Sequence, residues 1–573
     1  MKSLARILSL VAAGVLIVAP AHANADLASD KLDKLFGRWN TSSTPGMNIA
    51  IFRDGKQVYA RSYGMANLEM SQPNDQGLAY PIGSISKQFV GYCIQLLASE
   101  GKLSLSDDVR RYIPEMHDFG TPITLQMLLT HTSGVRDNVN LLIAKGRRVD
   151  DVIQEQESFD IVARQSDLNF RPGTQFRYSN GNYVLLAIVV ERVSGMSFRS
   201  FLQQRVFNPL GMKHTSVVSD PVGVTAGRAY GYGGENPTIP QASSDSSLGN
   251  SGILSTVGDL AIWSEQFYEP GSLTPAIFAA MKKPGALSDG IPITYASGLH
   301  AESFHGLPYV EHTGEVPGFH ADLLVFPKQH LSIVLLANTD TCDPARLAFA
   351  VAEIYLQDEF TAVGKPPQPI ANPDRALLDR YAGTYEIMSG TSLIGPGRKL
   401  RITAAGDGLL LNDEKLPLLA SSDHDFYSQQ SSSRISFVPT TGSTEGWMLI
   451  LHDSSGTDFA GRRVEAAPSH ETKTAPLALP AYAGLYYSAD LDTVYTVLIH
   501  GQTLGLRTPR GEVPLILQSG DTYDVKGNML EGKASGTLAF NRNGAAANGF
   551  SLTLSGGRAA NIRFTRISTE AVQ

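Results

Sequence analysis

The sequence predicts an α+β fold, in which a domain with an antiparallel sheet flanked by helices precedes two copies of a small β-domain. Apolar strand segments occur at 47–59 and again at 309–338, and a mainly helical stretch over about 84–290 separates them. A sheet built from both ends of one domain, with the helices inserted between, accounts for this order. Two linkers then set apart two segments that contain short alternating strands.

The first 23 residues have the pattern of a cleavable export signal. Lys2 and Arg6 precede an apolar run over 7–19, and small residues at 21–23 supply a cleavage site. The run is too short for a comfortable membrane span, and we find no second one. We therefore expect a signal peptide over 1–23 and a periplasmic or secreted mature protein, without an integral membrane span and from a bacterial source.

The first domain is expected over 24–362. Its first strands form a hairpin, because apolar segments flank the turn-forming pair Asp54-Gly55. Two segments with strand character, at 321–326, which is apolar except for Asp322, and at 333–337, predict further strands near its end. The helices between these strands are separated by loops rich in glycine and proline.

The remainder of the chain contains an internal duplication. The phrase Tyr-Ala-Gly-x-Tyr begins at Tyr381 and again at Tyr482, and each segment closes on an arginine and an apolar residue, at Arg463 and Arg566. Linkers at 364–369 and 466–480 precede the two phrases. Matched linkers and matched ends predict two related β-domains, over 374–466 and 480–569.

Composition excludes several classes of function. The net charge of −8 argues against a nucleic-acid partner, because phosphate binding needs a basic face. Two cysteines, Cys93 and Cys342, are too few for a disulfide framework or a metal cluster. The sequence has neither a G-x-S-x-G elbow nor an H-E-x-x-H motif, and we expect no metal and no cofactor.

Ser84 lies three residues before Lys87, where a helix is predicted to begin. Apolar residues recur at helical spacing after it, and residues three apart share a helix face. The spacing therefore places the serine hydroxyl beside the lysine amine. A serine needs a neighbouring base to act as a nucleophile, and a lysine can be that base if its surroundings lower its pKa. Alone, the pattern also fits an N-cap serine followed by a surface lysine.

Two further patterns occur downstream. Tyr178 and Asn180 come just before an apolar helix predicted over 184–193. His312-Thr313-Gly314 lies at the edge of a predicted strand. Each is weak alone, because the first is also typical of a helix-capping turn and the second of a strand end.

In this order along one chain, S-x-x-K, Y-x-N and H-x-G resemble the serine β-lactamase and penicillin-recognising hydrolase family. The segments 123–134, 208–212 and 252–256 are similar to further signatures of the branch that holds class C β-lactamases, esterases, D-Ala-D-Ala carboxypeptidases and D-aminopeptidases. The resemblance covers about 35–360. We expect His131, in the first of these segments, to be a hydrogen-bonded turn residue.

The resemblance implies catalytic roles for four residues. Ser84 would attack a carbonyl and form an acyl-enzyme, with Lys87 near its hydroxyl. Tyr178 would be a phenolate or a proton relay, with its pKa depressed by Lys87, with or without a contribution from His312. Whether Lys87 or Tyr178 is the acylation base stays open.

The resemblance also implies a substrate-binding set. The backbone N–H groups of Ser84 and Glu315 would form an oxyanion hole, and Asn180 would donate to the substrate's amide carbonyl. Thr313 and Gly314 complete this set.

The duplicated tail resembles that of the three-domain D-aminopeptidases. This implies two antiparallel, lipocalin-like β-barrels, and a loop of the last barrel, at 508–512, that reaches the catalytic cleft. Glu512 or Asp490 would then pair with a substrate ammonium group, although either also fits an ordinary exposed acid. His312 replaces the lysine of class C β-lactamases and is only partly charged at neutral pH, which weakens the case for β-lactam hydrolysis.

The function predicted is an exported serine hydrolase, a D-stereospecific aminopeptidase on short peptides or amino-acid amides. The alternatives are a D-Ala-D-Ala carboxypeptidase, an esterase or a class C-like β-lactamase on the same machinery. A further alternative is a slow-acylating penicillin-binding or cell-wall-sensing protein. The partner would be a small peptide, amide, ester or β-lactam, and a homo-oligomer stays open.

Overall fold

The computed structural model describes residues 21–148, 150–218, 223–238, 248–268, 274–361, 369, 374–388, 397–405, 408–411, 416–428, 434–439, 447–452, 458–464, 476–525 and 536–569. Most of the predicted signal peptide, and most of both predicted linkers, lie outside these ranges. Within them, no helix is both long enough and apolar enough to cross a membrane.

The first domain alternates strands with helices. Its helices are α1 Ala21–Phe36, α2 Ser86–Ser99, α3 Leu125–Leu129, α4 Asn138–Lys145, α5 Glu155–Ala163, α6 Asn180–Ser194, α7 Phe198–Leu202, α8 Asn208–Leu210, α9 Val257–Ser264, α10 Pro275–Met281 and α11 Pro344–Leu356. Its strands are β1 Met47–Arg53, β2 Lys56–Tyr63, β3 Met65–Asn67, β4 Gln72–Pro73, β5 Tyr80–Pro81, β6 Ser216–Val217, β7 Ile253–Ser255, β8 His300–Phe304, β9 Leu307–Val316, β10 Phe319–Phe326 and β11 Leu331–Ala337.

A six-stranded antiparallel sheet in the order β2-β1-β11-β10-β9-β8 organises this domain. The two ends of the domain meet directly, since Met47 of β1 pairs with Ala337 of β11. The predicted hairpin is confirmed, with Asp54 and Gly55 both at positive φ in the turn, and β2 runs on to Tyr63. The sheet prediction is also confirmed.

The sheet is buried on both faces. Along β11, Ile333 and Leu335 join the cluster formed with α1 and α11, whereas Val334 and Leu336 join the core around α2. This alternation is the two-residue period of a strand. Helix α2 is itself buried continuously from Ser86 to Leu97, so polar groups on its first turn lie inside the domain.

Helix α12, Arg375–Tyr381, leads into two closed antiparallel barrels of eight strands each. The first barrel contains β12 Gly383–Ile387, β13 Lys399–Ala405, β14 Gly408–Leu411, β15 Leu416–Ala420, β16 Asp425–Ser428, β17 Arg434–Pro439, β18 Trp447–His452 and β19 Asp458–Val464. The last barrel contains β20 Gly484–Ser488, β21 Thr493–His500, β22 Thr503–Thr508, β23 Gly511–Ser519, β24 Thr522–Val525, β25 Gly536–Asn543, β26 Ala546–Leu554 and β27 Ile562–Ser568. The predicted fold class is therefore confirmed.

The repeated Tyr-Ala-Gly-x-Tyr phrase has one structure in both barrels. The second tyrosine donates its hydroxyl to the backbone carbonyl of the first, from Tyr385 to Tyr381 at 2.9 Å and from Tyr486 to Tyr482 at 2.5 Å. All four rings are buried in their barrels. The phrase therefore fixes the start of each barrel through a hydrogen bond between two residues whose rings lie in the barrel core.

The arginine that ends each repeat bonds back to the same phrase. Arg463 donates to the carbonyl of Ala382, and Arg566 donates to the equivalent carbonyl of Ala483. In each barrel this joins the last strand to the residue before the first strand. Shared contacts at both ends explain why the phrase and the arginine recur together.

Candidate active site

Ser84 lies in a tight turn, Gly83–Ile85, directly before α2. The turn is pressed against β9, since a Cβ at Gly83 would lie 2.6 Å from the Glu315 nitrogen and one at Gly314 would lie 2.0 Å from the Ile82 oxygen. Glycine is needed at both positions because any side chain would force the backbones apart. Ser84 is thereby held close to the backbone N–H of Glu315.

Lys87 is wholly buried on the first turn of α2. Its Nζ donates at 2.8 Å to the Ser84 Oγ, to the Asn180 Oδ1 and to the backbone carbonyl of Asn250. These acceptors match the three donors of an ammonium group. The amine therefore links the nucleophile, α6 and the segment before β7.

Tyr178 places its hydroxyl 3.0 Å from the Ser84 Oγ, to which it donates. Burial raises the pKa of Tyr178, although the hydrogen bond to Ser84 and the charge of Arg558 oppose the rise. The expectation of a depressed pKa at Tyr178 is therefore wrong. Tyr178 meets the nucleophile as a neutral phenol, because desolvation disfavours its charged form.

His312 lies behind Tyr178, with ring centroids 6.2 Å apart. Its Nδ1 donates to the Thr313 carbonyl at 2.6 Å, which leaves the Nε2 to accept from the Tyr295 hydroxyl at 2.9 Å. Burial, with the nearby charge of Lys87, holds the pKa of His312 well below its usual value. The expectation that His312 helps to depress the pKa of Tyr178 is wrong, because burial disfavours the charged form of the imidazole.

His131 lies against the other side of Tyr178, with ring centroids 4.3 Å apart. It is fully buried at positive φ, and its Nδ1 accepts from the backbone N–H of Ser179 and the side-chain amide of Asn182. Burial lowers the pKa of His131 well below the ordinary value. The prediction of a hydrogen-bonded turn histidine is confirmed.

Asn180 is the first residue of α6, and both its backbone and its side chain are held by hydrogen bonds. Its backbone N–H donates to Asp137 at 2.7 Å, and its side-chain oxygen accepts from Lys87. The amide Nδ2 has no partner among the residues described, so it remains able to donate to a ligand.

A cavity of about 1070 Å³ opens in front of Ser84, Asn180 and Glu315. Its wall carries more carboxylates than cations: Asp150 and Asp151, which pair with Arg148 and Arg147, are accompanied by Glu235, Glu315 and Asp340. A smaller cavity of about 430 Å³ adjoins it and brings in Thr313. Within the described ranges, no histidine, cysteine, aspartate and glutamate side chains group to hold a metal ion.

The sequence model of the beta-lactamase family matches residues 32–356. The chain belongs to the beta-lactamase family. An intact serine, lysine and tyrosine constellation in a family member makes the protein a serine hydrolase, as predicted.

Curated relatives in this family include a D-aminopeptidase of Cereibacter sphaeroides, 27% identical over 391 residues that cover 67% of this chain and 73% of the relative. Penicillin-binding protein 4* of Bacillus subtilis is 25% identical over 430 residues, covering 71% of this chain and 93% of the relative. An octameric penicillin-binding protein homologue from Pyrococcus abyssi has a similar fold, with a TM-score of 0.51 and 21% identity over 76% of this chain and 99% of that one.

Beyond the family domain, two residues expected to bind a substrate ammonium have other partners. Asp490 is buried and accepts from Arg136 at 2.8 Å and from Ser166 at 2.7 Å. Glu512 bonds to His500 and Arg507 within its own barrel. The expectation for Asp490 is wrong, because its charge is already compensated, and Glu512 faces barrel residues.

The loop expected to enter the cleft, 508–512, contacts the end of α4 instead. Pro509 packs on Gly146, and Arg510 donates to the carbonyl of Arg147 at 3.1 Å. A different part of the last barrel reaches Tyr178: the guanidinium carbon of Arg558 lies 5.0 Å from its ring centroid. Sequence reasoning missed Arg558, because no motif marks it.

Proposed function

We propose that this chain is an exported, D-stereospecific aminopeptidase that hydrolyses short peptides or amino-acid amides through an acyl-enzyme on Ser84. The observation that carries the proposal is the pair of hydrogen bonds that Ser84 accepts from Lys87 and Tyr178 at the mouth of an acid-rich cavity. An acid-rich wall suits a substrate with a free ammonium group. Relatives named D-aminopeptidase support this substrate class.

The first chemical step is attack of the Ser84 Oγ on the substrate carbonyl. An oxygen–carbon bond forms, and the serine proton must leave as it does. Because Tyr178 is a neutral phenol, we assign it a relay role: it takes the serine proton while its own proton passes to the departing nitrogen. The carbon–nitrogen bond then breaks, and the amine departs.

The negative charge that develops on the carbonyl oxygen would be held by the backbone N–H groups of Ser84 and Glu315. The close approach of Gly83 and Gly314 supports this pairing, since it brings the turn and β9 together. One such donor is commonly worth about 10²–10³ in rate. Asn180 would donate to the substrate's own amide carbonyl, with Thr313 and Gly314 along the same edge.

Water then attacks the acyl-enzyme. The bond between the carbonyl carbon and Oγ breaks, the proton of the water returns to Ser84 through Tyr178, and the amino acid leaves. Throughout both steps, Lys87 holds the side chains of Ser84 and Asn180 in position by its hydrogen bonds to both.

The test compares D-Ala anilide with L-Ala anilide and with N-acetylated D-Ala anilide. We expect turnover of the free D-compound alone, and a loss of about 10³-fold or more in the Ser84→Ala variant. Ser86→Ala is the matched control, because Ser86 is buried on the same turn and its Oγ has no hydrogen-bond partner among the residues described. Equal turnover of the L-compound, or full activity in Ser84→Ala, would overturn the proposal.

A panel with a D-Ala-D-Ala peptide, a chromogenic cephalosporin and a short acyl ester separates the alternatives. Turnover of only the ester, only the cephalosporin or only the blocked peptide would assign the site to an esterase, a β-lactamase or a carboxypeptidase. The neutral His312 makes the cephalosporin the least favoured, because a β-lactam carboxylate would lack its usual cation there.

Export and the domain limits belong to the same proposal. We infer a signal peptide over 1–23, a catalytic domain over 24–362 and barrel domains over 374–466 and 480–569. N-terminal sequencing of the protein secreted from an expressing bacterium should begin near Asn24, and an intact Met1 terminus would overturn the assignment of the leader.

A further inference from the structure

Arg558 reaches the active site on a loop of the last barrel, 556–561, hereafter the Arg558 loop. The loop connects β26 with β27 and is held down by donors from the first domain. These donors are the Asp137 backbone N–H, Asn169 Nδ2, Arg136 Nη2 and Arg177 Nη1. Each bonds a backbone carbonyl of the loop at 2.9–3.0 Å, so the loop is fixed independently of the Arg558 side chain.

The guanidinium of Arg558 has no ion pair and no hydrogen bond with any residue that the structure describes. Its contact is with the face of the Tyr178 ring, and its side chain stays exposed. A neighbouring arginine of the same barrel, Arg563, shows the usual alternative, since it pairs with Asp167. An arginine held at an active site without a hydrogen-bonded or ion-paired protein partner among the described residues is suited to a planar anion, above all a carboxylate.

The position of Arg558 relative to Ser84 indicates which part of a substrate it meets. The large cavity, on the side of Asn180 and Glu315, does not include Arg558 or Tyr178 in its wall. If Tyr178 passes a proton to the departing nitrogen, the substituent on that nitrogen extends along the Tyr178 ring. In a dipeptide, that substituent is the last amino acid, whose free carboxyl group lies within one residue of the nitrogen.

We propose that Arg558 binds the carboxylate of the departing amino acid, so that the preferred substrates are short peptides cleaved at their last peptide bond. The inference rests on the proposed function and narrows it, because an unblocked dipeptide then becomes a better substrate than the corresponding amino-acid amide. The acidic cavity takes the ammonium end, and Arg558 takes the carboxylate end. Because both ends of the substrate are bound, the Arg558 loop of the last barrel selects substrates by their length.

The test uses two substrates with the same acyl residue and the same departing nitrogen, D-Ala-Gly and D-Ala-Gly-NH2. The quantity measured is the ratio of their kcat/KM values in the full-length protein. Arg558→Gln should lower this ratio by about 10- to 100-fold, the range expected for one charge-assisted hydrogen bond. Any effect of the lost charge on Tyr178 acts on both substrates and cancels in the ratio. Arg558→Glu should lower it further, because like charges then meet.

The control is Arg507→Gln, an exposed arginine of the same barrel that pairs with Glu512. It should keep the ratio of the unmodified protein. A purely structural role of Arg558 in supporting Tyr178 would lower kcat/KM for both substrates by the same factor. An unchanged ratio in Arg558→Gln therefore overturns the inference. Turnover of the amide with an unchanged ratio would leave the proposed function standing, whereas turnover of neither substrate would overturn both.

Discussion

Tyr178 shows how strongly one side chain depends on what surrounds it. A phenol beside a buried lysine invites the reading of a phenolate, and the charge of Arg558 also favours ionisation. Yet the ring lies among His131, Tyr295 and His312, and loss of water is the larger effect. The residue is therefore better suited to pass a proton than to remove one and keep it.

Substitution of Tyr178 by phenylalanine tests this relay. Tyr178→Phe removes the hydroxyl that lies 3.0 Å from Ser84 and keeps the ring that packs on His131. We expect kcat to fall by about 10²–10⁴-fold, because a positioned proton donor and acceptor is lost. KM should change little, and the thermal unfolding midpoint should stay near that of the unmodified protein. An unchanged kcat would exclude Tyr178 as the relay and leave Lys87 as the base.

At the scale of elements, the sheet, the hairpin and the duplicated β-domains could be predicted because each rests on local pattern. The turn at Asp54-Gly55 and the apolar runs that became β10 and β11 carry their signals in adjacent residues. The partners of Asp490 could not be predicted in this way. Its hydrogen bond to Arg136 joins residues 354 positions apart, and the local sequence around neither residue indicates the pairing.

Strand β10 carries a buried acid beneath the third motif. Asp322 lies opposite Thr313 of β9, is fully buried, and lies close to the equally buried Glu311. Burial and the charge of Glu311 raise the pKa of Asp322 well above its usual value. The folded protein then keeps this proton while the unfolded chain loses it above pH ~4, so the free energy of unfolding falls as pH rises from there.

Replacing Asp322 by asparagine should remove that pH dependence. Asp322→Asn keeps the shape of the protonated acid and cannot ionise, so its stability relative to the unmodified protein should increase between pH 4.5 and pH 8. Urea unfolding at the two pH values measures the change. Glu353→Gln, at an exposed position of α11, is the control and should show no such trend. A difference that shrinks with rising pH would show that Asp322 is ionised in the folded protein.

At the scale of the whole molecule, the last barrel contacts the candidate active site. Asp137 accepts from the backbone N–H of Asn180, and its own N–H donates to the carbonyl of Arg558. One residue therefore joins the start of α6 to the Arg558 loop. The neighbouring Arg136 ties the same segment to Asp490 of the barrel, with both side chains buried.

The buried pair between Arg136 and Asp490 should therefore couple stability to catalysis. Asp490→Ala leaves the Arg136 charge buried without its partner, and removing one member of such a pair typically costs about 3–5 kcal/mol. We expect a lower thermal unfolding midpoint and faster proteolysis between the domains. Turnover should fall as well, because the segment that positions Asn180 and the Arg558 loop loses its anchor.

The double variant Arg136→Met/Asp490→Leu separates charge from packing. It removes both charges and fills the space with apolar groups, so much of the lost stability should return. The exposed pair between Arg563 and Asp167 provides the comparison, since Arg563→Gln should cost less than about 1 kcal/mol. If Asp490→Ala proved as mild as Arg563→Gln, the barrel would be docked by its other contacts, such as that of Tyr495 with the carbonyl of Ala144. If stability returned in the double variant while turnover did not, the polar contacts of Arg136, with Asp490 and with the Asn561 carbonyl, would be needed to orient the segment that carries Asp137 and the Arg558 loop.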